Sequence, residues 1–167
     1  GVTLVLTALS AAAFIMSARS ATLERVAVER HLELYELAEQ LALTAEEKTD
    51  EARLYVMRGD EQHLARFYVD EDQERQLEKA VDDLTALEAT PAEHELFSTT
   101  RADAEAIDKI ETEAVAAYRA GRQAEAQRML FGDEHYQLHT NLLNSVSQIR
   151  ASVSSRSQAI LDAAKAD

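Results

Sequence analysis

The chain has 167 residues, four glycines, one proline and no cysteine, and its 31 acidic against 17 basic side chains give a formal charge of −14. That length suits one domain with a continuous core, and the missing cysteine excludes a disulfide frame, a thiolate zinc site and a thiol nucleophile. Between Asp60 and Glu95 stand twelve acids and three bases (Arg66, Arg75, Lys79), a surface that repels phosphate backbones, so no nucleic-acid partner is expected and the run reads as a solvated face.

The first element is Val2–Ser17, VTLVLTALSAAAFIMS, sixteen residues without a charge. A membrane span needs ~20 predominantly apolar residues, so residues 1–19 read as the outer part of a transmembrane helix and 20–167 as a separate helical bundle. A signal-peptide core is the alternative, since such cores are shorter, but Ala18–Arg19–Ser20–Ala21 makes a poor cleavage site. Nothing between Met16 and Glu46 interrupts a helix, so the apolar run is expected to continue into the next element.

The first bundle helix is predicted over 20–58, with Leu34, Leu37, Leu41, Thr44, Lys48 and Tyr55 on one stripe. Gly59–Asp60 closes it and opens a helix over 61–89, Gly suiting the left-handed C′ position and Asp the N-cap. Thr90–Pro91–Ala92–Glu93 combines a Thr N-cap, Pro at the first helical position and Glu three residues after the cap, a full capping box for a helix over 91–119. That helix carries Leu96, Ile107, Ile110 and Ala114 on its stripe. Gly121 and Gly132–Asp133 repeat the Gly59 signal and frame a short helix near 122–131.

The last helix, 133–166, keeps a strict four–three spacing through Leu142, Val146, Ile149, Val153, Arg156, Ile160 and Ala163. Such alternation builds coiled-coil-like seams, and bundles of them pack at roughly 20°. The predicted fold is all-α, an antiparallel up-down-up-down four-helix bundle with a short cap helix at the membrane-distal tip. Thirty residues of helix rise about 45 Å, and short connections turn each helix back along the last. Ala18 and Lys165 are then expected beside the membrane, Gly59, Gly121 and Gly132 at the far tip, and a second membrane helix beyond Asp167.

Two stretches, ALTAEEKTDEARLYVMRGDEQHLARFY (Ala42–Tyr68) and AGRQAEAQRMLFGDEHY (Ala120–Tyr136), carry a resemblance. Through Ala52–Arg53–Leu54–Tyr55–Val56, Gly59–Asp60, Tyr68 and the series Gly121, Ala126, Leu130, Gly132 and Tyr136, the chain resembles the periplasmic helical-bundle sensor domains of bacterial transmembrane receptors. Methyl-accepting chemotaxis proteins are the type, and sensor kinases and diguanylate cyclases also carry such domains. The resemblance implies a domain between two membrane helices, commonly dimeric, that reports a ligand through small helix movements. The closely spaced arginine series by which amino-acid chemoreceptors hold a carboxylate is missing: after Arg30 the first helix has only Arg53 and Arg58.

Extending the last seam backwards from Leu142 reaches His139 and His135, which places both imidazoles inward near the tip. At that level fall Arg53 and Tyr55, Arg66 and Tyr68, Tyr118, and nearby Tyr136. Arg53, Arg66, Tyr68, Tyr118, Tyr136 and His139 are therefore the candidate ligand-binding residues, able to hold a small anion, or to satisfy one another at the end of a bundle. His135 and His139 are also an i, i+4 pair that can reach one metal, with Asp133, Glu134 and His63 as further ligands; a lone pair is a weak signal, and no metal or other cofactor is assigned. Lys48 near Glu71 and Glu74, and Asp103 near Arg150, read as polar layers that fix register.

No phosphate loop, nucleophile elbow, or kinase or cyclase core occurs, so the chain does not read as an enzyme. The expected function is an extracytoplasmic input domain in the bacterial inner membrane, with the bundle in the periplasm, forming homodimers through Leu23, Val26 and Ile160 and responding to a small molecule whose identity the residues leave open. The alternative is a membrane-anchored structural bundle with no ligand of its own.

Overall fold

A chain rich in Ala, Glu and Leu and poor in Gly and Pro has few alternatives to long helices. The computed structural model describes the backbone of residues 2–166 and side chains from 22 to 163, apart from those of 23, 24, 27, 31, 87, 88, 157 and 161. Five helices follow in order: α1 (Val2–Arg58), α2 (Glu61–Glu88), α3 (Pro91–Arg119), α4 (Gln123–Phe131) and α5 (Asp133–Ala166). No strand occurs among the described residues. As expected, the N-terminal run and the first bundle helix are one element, and its 57 residues make a rod of about 85 Å. The apolar side chains of residues 2–17, like Leu23 and Lys165, lie outside the described side chains. Among the described residues no helix is long and apolar enough to cross a membrane.

The breakers act largely as their chemistry requires. Gly59 and Gly121 sit at φ 74° and 82°, the left-handed conformation that disfavours a Cβ. Thr90 Oγ1 accepts from the Glu93 amide at 3.2 Å while the Thr90 amide donates to Glu93 Oε2 at 2.8 Å, closing the capping box. Glu93 also accepts from Ser152 and Arg156, so the start of α3 is tied to α5. Two expectations fail. Gly132 is extended (φ −82°, ψ 167°) rather than left-handed; the close approach of the Arg128 carbonyl, which a Cβ would strike, accounts for glycine there instead. Asp60 has N-cap backbone geometry, but its carboxylate turns to Arg58 at 3.0 Å and makes no cap bond.

Four long helices pack together, α1 against α2 and α5, and α3 against α5, with α4 seated on α3 and α1. Although only two residues join α2 to α3, their backbones come within packing distance at almost no point. The α5 seam is as predicted: Leu142, Val146, Ile149 and Val153 are buried. On α1 the stripe is corrected. Leu37 and Leu41 are only half-buried, and the seam is completed by Ala38, Ala45 and Ala52 at seven-residue spacing. The apolar core forms two clusters. One gathers Leu34, Ala38, Val81, Ile107 and Val146, and the other Val56, Phe67, Ala114, Ala126 and Leu130.

Candidate functional site

The four seams change chemistry between those two clusters. On α1, Lys48 lies between Ala45 and Ala52; on α3, Glu111 lies between Ile107 and Ala114; α2 contributes Glu74, and α5 His135. Each sits at a heptad position that would otherwise take an apolar side chain, and the seven-residue register forces it inward. Lys48 is 1% exposed, Glu111 and His135 are fully buried, and Glu74 is 3% exposed. The result is a charged layer across the core.

Lys48 Nζ donates to Glu74 Oε2 and to Asp108 Oδ1 and stands 3.7 Å from Glu111 Oε2. Glu111 Oε1 accepts from Thr49 Oγ1 at 2.6 Å and from His135 Nε2 at 3.1 Å. A carboxylate that is ionised only accepts, and the contact then requires the His135 tautomer that carries hydrogen on Nε2. His139 stacks on His135 with ring centroids 6.1 Å apart. Three buried atoms have no hydrogen-bond partner among the described residues: Glu111 Oε2, His135 Nδ1 and His139 Nε2.

Charge balance sets the electrostatics. One ammonium faces three carboxylates in a medium of low dielectric. Burial alone would lower Lys48, but Glu74, Glu111 and Asp108 outweigh it and hold the ammonium well above the ordinary lysine range. Burial pushes Glu74 up to about 7 in spite of Lys48, with Asp108 adding to the rise. His139 is lowered by burial and by the neighbouring His135 and Arg53. The layer can thus take up protons, exchange hydrogen-bond partners or receive additional positive charge.

The six predicted ligand residues do not form one cluster. His139 flanks the layer, and Arg53 lies close enough to depress its basicity. Arg53 donates to the Leu130 carbonyl at 3.3–3.4 Å and lies over the Phe131 ring. Tyr118 packs edge-on against Tyr55 at 4.9 Å. Arg66 is exposed and pairs with Glu51, and Tyr68 and Tyr136 are exposed as well. The expectation of convergence is corrected because Arg66, Tyr68 and Tyr136 fall outside the heptad positions that point inward.

The supporting contacts are also adjusted. Lys48 reaches Glu74 as predicted, whereas Glu71 pairs with Arg75. Arg150 reaches Glu39 at 3.4 Å in place of Asp103. His63 turns to Glu51 at 2.6 Å, Asp133 and Glu134 are exposed, and among the described residues no group of three or more His, Cys, Asp or Glu side chains is placed to hold a metal. Sequence reasoning missed Glu111, Thr49 and Asp108. Glu111 was accessible to it, since a step of four from Ile107 and of three to Ala114 lands there. No family model, curated protein or solved structure matches the chain.

Proposed function

We propose that this chain is a ligand-sensing input module, an antiparallel up-down-up-down bundle whose helix packing is biased through its charged layer. The observation that carries the reading is that layer: Lys48, Glu74, Glu111 and His135, one from each long helix, buried together with unmet hydrogen-bonding capacity. A buried ion network seldom maximises stability, because well-packed apolar residues in its place are often as stable or more so. What such a layer does supply is a packing that depends on a few charges, and so an element that can have two arrangements.

Pairs along the helices support the topology. Val56 O accepts from Gln123 and Gln127, and Gly59 lies against Tyr118, which groups the ends of α1 and α3 with α4 as a cap. Glu93 with Arg156 and Glu39 with Arg150 mark the other end. The apolar run before the bundle and the resemblance to chemoreceptor-type sensor domains support a periplasmic position at the bacterial inner membrane. Exposed Leu32, Leu43 and Leu54, eleven residues apart along α1, suit a homodimer. Binding would shift helices by about 1–2 Å, and α1 would carry the shift toward the membrane.

The test is thermal unfolding of the chain against small organic acids, amines, amino acids and divalent metals, with spin-label distances between α1 and α5 read in parallel. A ligand that raises the melting temperature and changes that distance supports the module. If no ligand does either, the structural reading takes its place, favoured by the way Lys48 already pairs with carboxylates of α2 and α3.

A further inference from the structure

Directly beside the charged layer is a cavity of about 40 Å³, reached by all four long helices. Its apolar wall comes from Ala38, Ala104, Leu142 and Val146, and α2 contributes Glu74, Glu78 and Asp82. Two causes leave this space open. Ala38 and Ala104 are the smallest side chains a seam can carry, and α2 stands away from α3 along this stretch. The gap between α2 and α3 is bridged by Arg101, whose guanidinium meets Asp82 at 2.6 Å.

The polar side of the cavity is short of positive charge. Glu74 is buried and its Oε2 is taken by Lys48, the one hydrogen bond its carboxylate makes among the described residues. Glu78, half-buried one turn further along, has neither a hydrogen bond nor an ion pair among the described residues. Burial first, and then Asp108, raises it, with Arg101 and Lys48 too weak to offset them. The charged lining of the cavity is Glu74, Glu78 and Asp82 from α2 and Arg101 from α3, with Lys48 paired to Glu74 behind it; the α5 lining is apolar. One cation, already paired with Asp82, therefore faces three carboxylates.

That combination selects a chemistry. An anion is repelled, and a neutral apolar molecule leaves Glu78 without a partner and displaces its water. A hard divalent ion needs six or more oxygen ligands, which an apolar wall cannot supply. A primary ammonium brings three N–H donors and a positive charge to the carboxylates and lays a short alkyl chain on the alanine and leucine wall. A space this size takes about three water-sized groups, so the chain must be short.

We propose that the bundle binds a small organic cation of the short alkylammonium class in this cavity, entered between α2 and α3, with Glu74 and Glu78 receiving the ammonium. The assignment rests on the sensor reading for its purpose and adds the ligand class to it. The Arg101–Asp82 bridge closes the entrance.

The experiment is thermal unfolding of the full chain with propylammonium chloride, compared with 1-propanol, sodium propionate and sodium chloride at matched concentration. At a hundred times its Kd, propylammonium is expected to raise the melting temperature by roughly 5–10 °C, and the others to leave it in place. Glu78→Gln, which removes a charge that has no protein partner, should weaken the response about tenfold or more; Ala104→Val, which fills the wall, should do so independently. Glu95→Gln on the exposed face of α3 should change nothing. An equal shift with 1-propanol, no shift with propylammonium, or a shift untouched by both Glu78→Gln and Ala104→Val overturns the proposal. Spin labels across α2 and α3, simple to place in a cysteine-free chain, separate the two readings. Propylammonium binding without a change in helix spacing keeps the site and removes the sensor, whereas a different ligand that acts independently of Glu78 keeps the sensor and overturns this site.

Discussion

Replacing Lys48 by methionine isolates the role of the buried cation, because the new side chain has similar length and fits the same seam without the charge. Lys48 holds Glu74 and Asp108 directly and stands 3.7 Å from Glu111 Oε2. At an effective dielectric of about 20, the contact with Glu111 alone is a gross attraction of roughly 4 kcal/mol. The net value of the network is smaller, since desolving Lys48 opposes it, yet removing one member strands the others. Glu74 and Glu111 would remain buried without a cation, a situation that typically costs about 3–5 kcal/mol.

The penalty should depend on pH. At pH 8 Glu74 is largely ionised, and Lys48→Met should lose that 3–5 kcal/mol in urea unfolding, with an unchanged m-value. At pH 5, Glu74 is protonated in the folded state, because burial has pushed it up to about 7. Less charge is then left uncompensated, and the loss should shrink to about 2 kcal/mol or less. An equal loss at both pH values would refute the electrostatic account and assign Lys48 a packing role. A loss under about 1 kcal/mol at pH 8 would show that the carboxylates do not depend on it.

The remaining predictions concern linkage, caps and turns. Glu74, raised from 4.5 to about 7 on folding, contributes stability that is fully present below 4.5 and lost as pH rises through 7, about 3 kcal/mol in all. Glu93 has the opposite sign: the Thr90 amide, Ser152 and Arg156 outweigh its burial and lower it, so its contribution is present above 4.5 and lost as pH falls through its folded value. Urea midpoints should therefore peak near pH 5, and Glu74→Gln should flatten the branch between pH 5 and 7; an unchanged slope would contradict the assignment. Thr90→Ala should cost about 1 kcal/mol by removing the cap of α3, measured by thermal unfolding. Gly59→Ala should cost clearly more than Gly121→Ala in the same assay. Both bear the left-handed penalty of about 1–2 kcal/mol, but only at Gly59 would a Cβ meet the Tyr118 hydroxyl, while Gly121 faces open space. Equal losses would exclude the Tyr118 contact as a factor.

The boundaries of the helices were legible because their signals are local. Gly59, Gly121 and the Thr90–Glu93 box act through φ or through atoms three residues away, and a sequence carries that information directly. The α5 seam was legible because large aliphatic side chains mark it. The α1 seam was less so, because Ala38, Ala45 and Ala52 fill it. Alanine is favoured on any helix face, so its presence does not distinguish core from surface. The splay between α2 and α3 could not be read at all. A two-residue link implies neighbours but does not fix the distance between their axes.

The candidate site divides along the same line. Lys48 and Glu74 could be paired in advance because a charge at a seam position is conspicuous, and burial without a partner would be costly. Their full set of partners depends on the axial alignment of four helices, which shorter-range patterns leave open. Arg66, Tyr68 and Tyr136 were grouped by level along the bundle, and level is only one of the two coordinates that place a side chain. The other is the angle around the helix, which turns 100° per residue. Testing each candidate against its own helix's heptad would have kept His135 and His139, rejected Arg66 and Tyr136, and brought in Glu111. Function in a bundle of this kind is therefore best sought where a seam position carries a charge, since that is where the register forces a polar group into the core and makes the packing answer to whatever neutralises it.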